Sequence, residues 1–552
     1  MRLTVVAVTV VCVAAQAPYL MVSNPHHNDT DKIKIILNPS IQNIPIAPDQ
    51  ADLRPPPPRV PEKFEHFIAI PSYRDGVRCG FAAWTAFARA TDPNRVSIGV
   101  VDQTTGDDPK CLDEYCKLAK ESWPDVDCKY KDQIQIHPMD AKDSKGPAVA
   151  RALERDMIGD QEFCMSIDAH TQFVYDWDNL IVEEWKRTEN EMAILSHYPL
   201  SFDRIGPNNT VPTGSSRHMC MYGTRNAAND IPIQWATDLH NSEKPQMQAL
   251  WGGGLSFGKC HAEKRVPVDG HLKWVFFGEE FIRAMQLWTH GYDIYSPSVH
   301  GAVLLHNYTG DLTGTKPDFF ENAKENSAKP LEERRGYNRL RAALKFPFQG
   351  EVDAKDMETY YGHPVRTLDE YLAFSKVTNV APFGLDDWPC EQLRWVPYAV
   401  PEIIEELLPG WKMRPATSNQ ASPLNEKVEQ RLDELHALNM SSSLDQVKQQ
   451  LEDSKAASAK ALEQLEARVE DLTQQLRAAN ESRSIKLQLQ SKDALTSNEA
   501  VAALLQTQLG ALANHERNAL VVLSVIIVIA AIIVFKVSRT TKPSYAPVAA
   551  AE

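Results

Sequence analysis

From residue 63 to 415 short apolar runs alternate with stretches of helical periodicity. Phe67-Ile68-Ala69-Ile70-Pro71 reads as a strand, Phe81 to Ala90 as a helix, and Val96 to Val101 as a second strand. Phe163 to Asp168 and Met192 to Leu195 read as further strands. Phe281, Met285 and Trp288 recur at helical spacing and give a helix one apolar face, with Gly291 as its stop. This alternation predicts an α/β sheet with helices on both faces, whose ligands collect at the carboxyl ends of the strands.

The pattern changes on either side of that domain. Residues 16–62 are polar and hold Pro55-Pro56-Pro57-Pro58 and Pro61, which predicts an extended, stiff linker. Residues 425–515 are rich in Gln, Glu, Ala, Lys and Leu. Leu444, Leu451, Leu462, Leu465, Val469, Leu472 and Leu476 share one heptad register, and Lys448, Lys455 and Ser458 interrupt the same seam. Two readings stay open for this stretch, a coiled-coil stalk that makes a homodimer and a solvated single helix that acts as a spacer.

The two ends set the expected compartment. Met1-Arg2 and the apolar run to Ala15 read as a signal peptide over residues 1–15. Ala519 to Phe535 is uncharged and apolar, at the short end of what crosses a bilayer, and Lys536, Arg539 and Lys542 follow it. The expectation is a single-pass membrane protein with a lumenal body, a transmembrane helix over 519–535 and a cytosolic tail over 536–552. A short span suits the thin membrane of the endoplasmic reticulum or Golgi. With Cys12 lost, eight cysteines remain, an even set whose pairing the sequence leaves open. A formal net charge of −15 argues against a nucleic-acid surface, and no His-Glu-x-x-His pattern supports a metal-dependent hydrolase.

Candidate chemistry centres on Asp168-Ala169-His170. Residues two apart at a strand end face one way, so this carboxylate and imidazole can share an ion, with Mn2+ favoured over Mg2+. The bland alternative is a pair of turn residues. Glu279 and Glu280 open the helix ending at Gly291, where acids stabilise the first turn whatever their chemistry. Arg74-Asp75 also reads as a surface ion pair, Arg151 as an exposed helix arginine, and Trp251-Gly252-Gly253-Gly254 as a tight turn or a floor for close backbone approach.

Several motifs then occur in order. Ile68 to Asp75, Gly146-Pro147-Ala148-Val149-Ala150-Arg151, Ser166 to Phe173 with Trp177-Asp178, Phe276 to Gly291 with Ser296-Pro297, and Arg366 to Tyr371 together resemble a GlcNAc-transferase family that modifies protein threonine or hydroxyproline. The resemblance runs from about residue 65 to 380. It implies a GT-A-type nucleotide-sugar fold, a UDP-GlcNAc donor, a divalent metal and retention of the anomeric configuration. Acceptors would be Thr or Ser hydroxyls of secretory proteins, since hydroxyproline on a cytosolic adaptor would lie out of reach. By the same resemblance Asp168, His170 and His306 are metal ligands, with His300 as a rival third ligand. Ser72, Arg74, Asp75, Arg151, Asp168 and Gly253 contact the donor. Glu279 and Glu280 serve catalysis, Glu280 being the one set against the acceptor hydroxyl. The sequon Asn307-Tyr308-Thr309 follows His306 directly, so Asn307 is expected to stay unglycosylated. The alternative function is an inactive transferase-like domain on a coiled-coil membrane tether.

Overall fold

The computed structural model describes residues 17–23, 32–206, 211, 214–223, 231–308, 319–320, 326–379 and 388–414. The expected signal peptide, stalk, transmembrane helix and tail lie outside these residues. No helix among the described residues is long and apolar enough to cross a membrane.

The chain begins with strands β1 (Tyr19–Ser23) and β2 (Lys32–Ile36), followed by β3 (His66–Tyr73), α1 (Gly76–Arg89), β4 (Val96–Thr104), α2 (Cys111–Ser122), β5 (Ile134–Asp140) and α3 (Pro147–Glu154). Next come β6 (Phe163–Ile167), β7 (Thr171–Phe173), α4 (Trp177–Lys186), β8 (Ala193–His197) and β9 (Leu200–Ser201). The series continues with β10 (Ser215–Tyr222), β11 (Gln234–His240), β12 (Gln246–Gln248), β13 (Leu255–Lys259), α5 (Cys260–Arg265), α6 (Glu279–Thr289), β14 (Asp293–Ser296) and β15 (Leu304–His306).

The central sheet has eight strands in the order β12-β14-β8-β13-β6-β3-β4-β5. β3, β4, β5 and β6 run parallel, and β13 is antiparallel to both β6 and β8. From β3 the chain moves outward through β4 to β5, then returns to place β6 on the other flank of β3. The strand order therefore reverses between β3 and β6, and a crevice opens at their carboxyl ends. The first five residues of β3 are buried, as befits a strand covered on both faces. Helix α1 starts earlier than its apolar pattern suggests, at Gly76, with Asp75 at its N-cap. It approaches α2 closely, because a Cβ on Gly80 would meet the Tyr115 backbone nitrogen at 2.6 Å. The Cys79–Cys111 disulfide fastens the same two helices.

Three further disulfides, Cys116–Cys128, Cys164–Cys260 and Cys220–Cys390, complete the pairing of all eight cysteines that follow Cys12. A second sheet, β10-β11-β1-β2, is antiparallel throughout. A third, β7-β15-β9, is small: β15 pairs antiparallel with β7 and parallel with β9.

The expected linker over residues 16–62 is not what its described residues form. β1 and β2 are strands of the second sheet. Leu53 is buried, and Gln42 donates from its side chain to the Pro245 carbonyl while its own carbonyl accepts from Trp395 N–H. Proline gives the segment stiffness, but interspersed apolar side chains fasten it to the domain. The sparse apolar positions carry no period, so only tertiary contact reveals them.

Candidate active site

A cleft of about 570 Å3 opens where β3 and β6 diverge. Pro71, Tyr73 and Asp75 line it from the end of β3, Asp168, Ala169 and His170 from the end of β6, and Glu279 and Glu280 from α6. His306 completes the wall from β15.

The sequence placed Asp168 and His170 on one strand end. The structure instead ends β6 at Ile167 and begins β7 at Thr171, so the two residues sit on the bend between them. The bend still turns both side chains toward one point. The small sheet supplies the third: β15 pairs His306 opposite Thr171, and Asn307 N–H donates to the His170 carbonyl at 2.9 Å. Asp168, His170 and His306 each offer a ligand atom, and these atoms lie within 4.8 Å of one another. His306 Nε2 stands 3.0 Å from Asp168 Oδ2, while its Nδ1 is buried with no partner. His300 is elsewhere: half exposed, with Nε2 2.6 Å from Glu243 Oε2.

One carboxylate oxygen and two imidazole nitrogens fit a divalent cation of the manganese type. His170 strengthens the fit, because its Nδ1 lies 3.1 Å from Asp75 Oδ2. A carboxylate behind a histidine fixes ring orientation and leaves Nε2 for the cation. Asp75 also accepts from Arg78 Nε at 2.5 Å.

Donor-side expectations divide between the strand and the turn after it. Pro71, Tyr73 and Asp75 line the cleft, whereas Ser72 lies on the other face of β3 and Arg74, just past the strand end at φ 50°, turns elsewhere. Ser72 is fully buried with its hydroxyl unpartnered, and Arg74 makes a two-pronged bond to Asp108 at 2.7 and 2.9 Å. Neither lines the cleft.

Arg151, on α3, is buried rather than exposed. It donates to Glu279 Oε1 at 2.7 Å, to Asp168 Oδ1 at 3.2 Å and to the Gly253 carbonyl at 3.1 Å. Burial acts to raise the Asp168 carboxyl, but the hydrogen bond and charge of His306 with the charges of Arg151 and His170 hold it below the usual carboxylate range.

Glu279 and Glu280 stand side by side in unlike surroundings. Gly278, with φ of 100°, turns the chain into α6 at a left-handed position that suits glycine. Burial raises the Glu279 carboxyl and Arg151 opposes it. Glu280 accepts from Gly253 N–H at 2.7 Å through Oε1 and from the Tyr198 hydroxyl through Oε2. Burial pushes it up to about 7, even though both of these bonds favour the ionised form. Gly253 therefore serves the cleft through its own backbone, its N–H on Glu280 and its carbonyl on Arg151.

Sequence reasoning missed Tyr198 and Tyr308. Tyr308 packs its ring 4.0 Å, centroid to centroid, from His306, and its hydroxyl donates to the Pro199 carbonyl at 2.8 Å. An aromatic at a strand end carries no pattern by itself; only the turn from β8 into β9 and the pairing of β9 with β15 bring these two to the cleft.

Residues 115–383 match the family described as Glycosyltransferase (GlcNAc). The matched stretch contains Asp168, His170, His306, Arg151 and the acidic pair; the β3 motif up to Asp75 precedes the match. Among solved structures, the chain is similar to GalNAc-T7 with UDP, GalNAc and Mn2+, at 13% identity and a TM-score of 0.37, over 56% of this chain and 57% of that one. It thus spans little more than half of the GalNAc-T7 chain. It is also similar to the mannosyltransferase PcManGT from Pyrobaculum calidifontis with GDP-Man and Mn2+, at 13% identity and a TM-score of 0.28, over 56% of this chain and 71% of that one. A third is S. aureus TarS 1-349 with UDP-GlcNAc, at 10% identity and a TM-score of 0.27, over 54% of this chain and 78% of that one. No curated protein matches the sequence.

Proposed function

We propose that this chain is a glycosyltransferase of GT-A type that moves N-acetylglucosamine from UDP-GlcNAc to Thr or Ser hydroxyls of secretory-pathway proteins, with retention at the anomeric carbon. The observation that carries the reading is the convergence of Asp168, His170 and His306 on the cleft that Glu280 also faces. A transferase of nucleotide sugars needs both a place for a polyanionic diphosphate and a hydrogen-bond acceptor for an incoming hydroxyl. This cleft offers each on a different element.

Asp168, His170 and His306 would hold a divalent cation, Mn2+ before Mg2+, with Asp75 setting the tautomer of His170. Such a cation supplies neutralisation of charge on the diphosphate as it departs. Arg151 is engaged by Glu279 and Asp168 and fixes both carboxylates relative to each other. Glu280 accepts a hydrogen bond from the acceptor hydroxyl and turns its lone pair toward the sugar. The bond from the anomeric carbon to the diphosphate oxygen breaks, the bond to the acceptor oxygen forms, and the hydroxyl proton leaves with UDP. Four disulfides and the apolar ends of the sequence support a lumenal domain on an endoplasmic-reticulum or Golgi membrane.

The test is UDP release and glycopeptide formation by the detergent-solubilised full chain with UDP-GlcNAc, manganese and a Thr-rich peptide. Turnover that needs both peptide and metal is expected. Absence of turnover with every common UDP-sugar, together with no donor binding by calorimetry, would overturn the reading in favour of an inactive tether.

A further inference from the structure

We infer that Tyr198 is a positioning residue for Glu280, and that the pair directs the sugar to an acceptor hydroxyl in preference to water. The inference rests on the transferase reading above and adds a residue and a selectivity to it.

Tyr198 is the first residue after β8, a strand inside the central sheet, and the chain turns through Pro199 into β9 immediately beyond it. Its ring is seated against backbone: a Cβ on Gly252 would lie 3.1 Å from ring Cδ1 and 3.2 Å from Cε1. Tyr308 fastens the turn from the other side through its bond to the Pro199 carbonyl. The Tyr198 hydroxyl is thereby fixed by the sheet, and it donates to Glu280 Oε2.

Glu280 receives one hydrogen bond on each oxygen, from Tyr198 and from Gly253 N–H. Rotating the carboxylate away from the cleft would break both. Neither donor carries a charge, so the group is oriented without being neutralised, and its remaining lone pairs can accept from a hydroxyl. Glu279, tied to the Arg151 guanidinium at 2.7 Å, lacks that freedom. A carboxylate held at one angle favours the hydroxyl of a bound acceptor, whose position is defined by the rest of that molecule. A water has no such second anchor and gains less from a fixed acceptor.

The experiment compares transfer to a Thr-rich peptide with hydrolysis of UDP-GlcNAc in the peptide's absence, for the full chain, Tyr198→Phe, Glu280→Gln and the double variant. Tyr198→Phe keeps the ring and removes only the donor. Its transfer kcat should fall about 10-fold, the loss expected of one hydrogen bond to a charged group. The ratio of hydrolysis to transfer should rise by a similar factor, with donor KM near that of the wild type. The double variant should transfer no worse than Glu280→Gln, because the two residues act as one unit. Glu280→Asp, which withdraws the carboxylate from Tyr198, should reproduce the raised ratio and serves where Tyr198→Phe folds poorly. Equal loss of both reactions in Tyr198→Phe, or multiplying losses in the double variant, overturns the inference and leaves the transferase standing. No turnover by the wild type overturns both.

Discussion

On the sheet side of the cleft ionisable groups meet one another: Asp168 faces His306 and Arg151, and His170 faces Asp75. Across the cleft, at the start of α6, Glu280 meets a tyrosine hydroxyl and a backbone N–H. The carboxylates respond in opposite directions, Asp168 held down by its cationic neighbours and Glu280 lifted to about 7 by burial. A network of opposed charges suits a fixed cation and a polyanion, since each member holds the next in place. A carboxylate held by neutral donors stays responsive to whatever hydroxyl arrives. On the function proposed above, the charged side would take the donor and the neutral side the acceptor.

The largest effect should come from dismantling the charged side. Asp168→Ala removes the shared carboxylate, and with it several kcal/mol of charge stabilisation, so turnover should fall roughly 1,000-fold or more. Transfer assays at saturating manganese check this, and near-normal turnover would sever the cluster from catalysis. Asp75→Asn should act more gently and only on the metal side. It leaves the ligands in place but loosens His170, so manganese affinity should weaken about 10–100-fold. Isothermal titration without donor or acceptor measures it, and unchanged affinity would reduce the Asp75 carboxylate to its bond with Arg78.

The smallest effect tests burial alone. Glu154, the last residue of α3, is buried with one oxygen unpartnered beside a cavity of about 20 Å3 that Arg151 and Ser166 also line. Burial raises it from an ordinary 4.5 to about 8. The native state therefore binds this proton more tightly than the unfolded chain, and stability falls as pH rises through that interval. Glu154→Gln removes the titration, so its melting temperature should exceed the wild type's by a few degrees at pH 8.5 and match it near pH 4.5. A gain equal at both pH values would mean that charge is not the cause.

How legible was this in the sequence? The alternation of apolar runs disclosed the α/β sheet, and β3, β4, β6 and β8 lie where their β-branched and aromatic runs stand. Asp168 and His170 were visible because two chemically suited residues end such a run. His306 could be separated from His300 only by the pairing of a three-residue strand, too short to leave a pattern. Ser72 and Arg74 were expected at the donor beside Asp75; alternation along β3 accounts for Ser72, but the left-handed turn at Arg74 that leads its side chain to Asp108 leaves no pattern in the sequence. Tyr198 left no trace at all. Its position depends on where β8 ends relative to a helix eighty residues later in the chain, and that is tertiary information.

The fastening of β1 bears on how the domain can be handled. Leu20, Val22 and Leu37 share a small core with Cys220, Leu239 and Cys390, and Tyr19 and Leu20 pair with the end of β11. A soluble fragment begun at Lys63, where the composition first turns globular, would lose half of that core and bare a strand edge beside the exposed ring of Trp235. Open edges of this kind recruit other copies. Truncation at Lys63 would thus trade a tractable enzyme for aggregates, and a null assay on them would say nothing about catalysis.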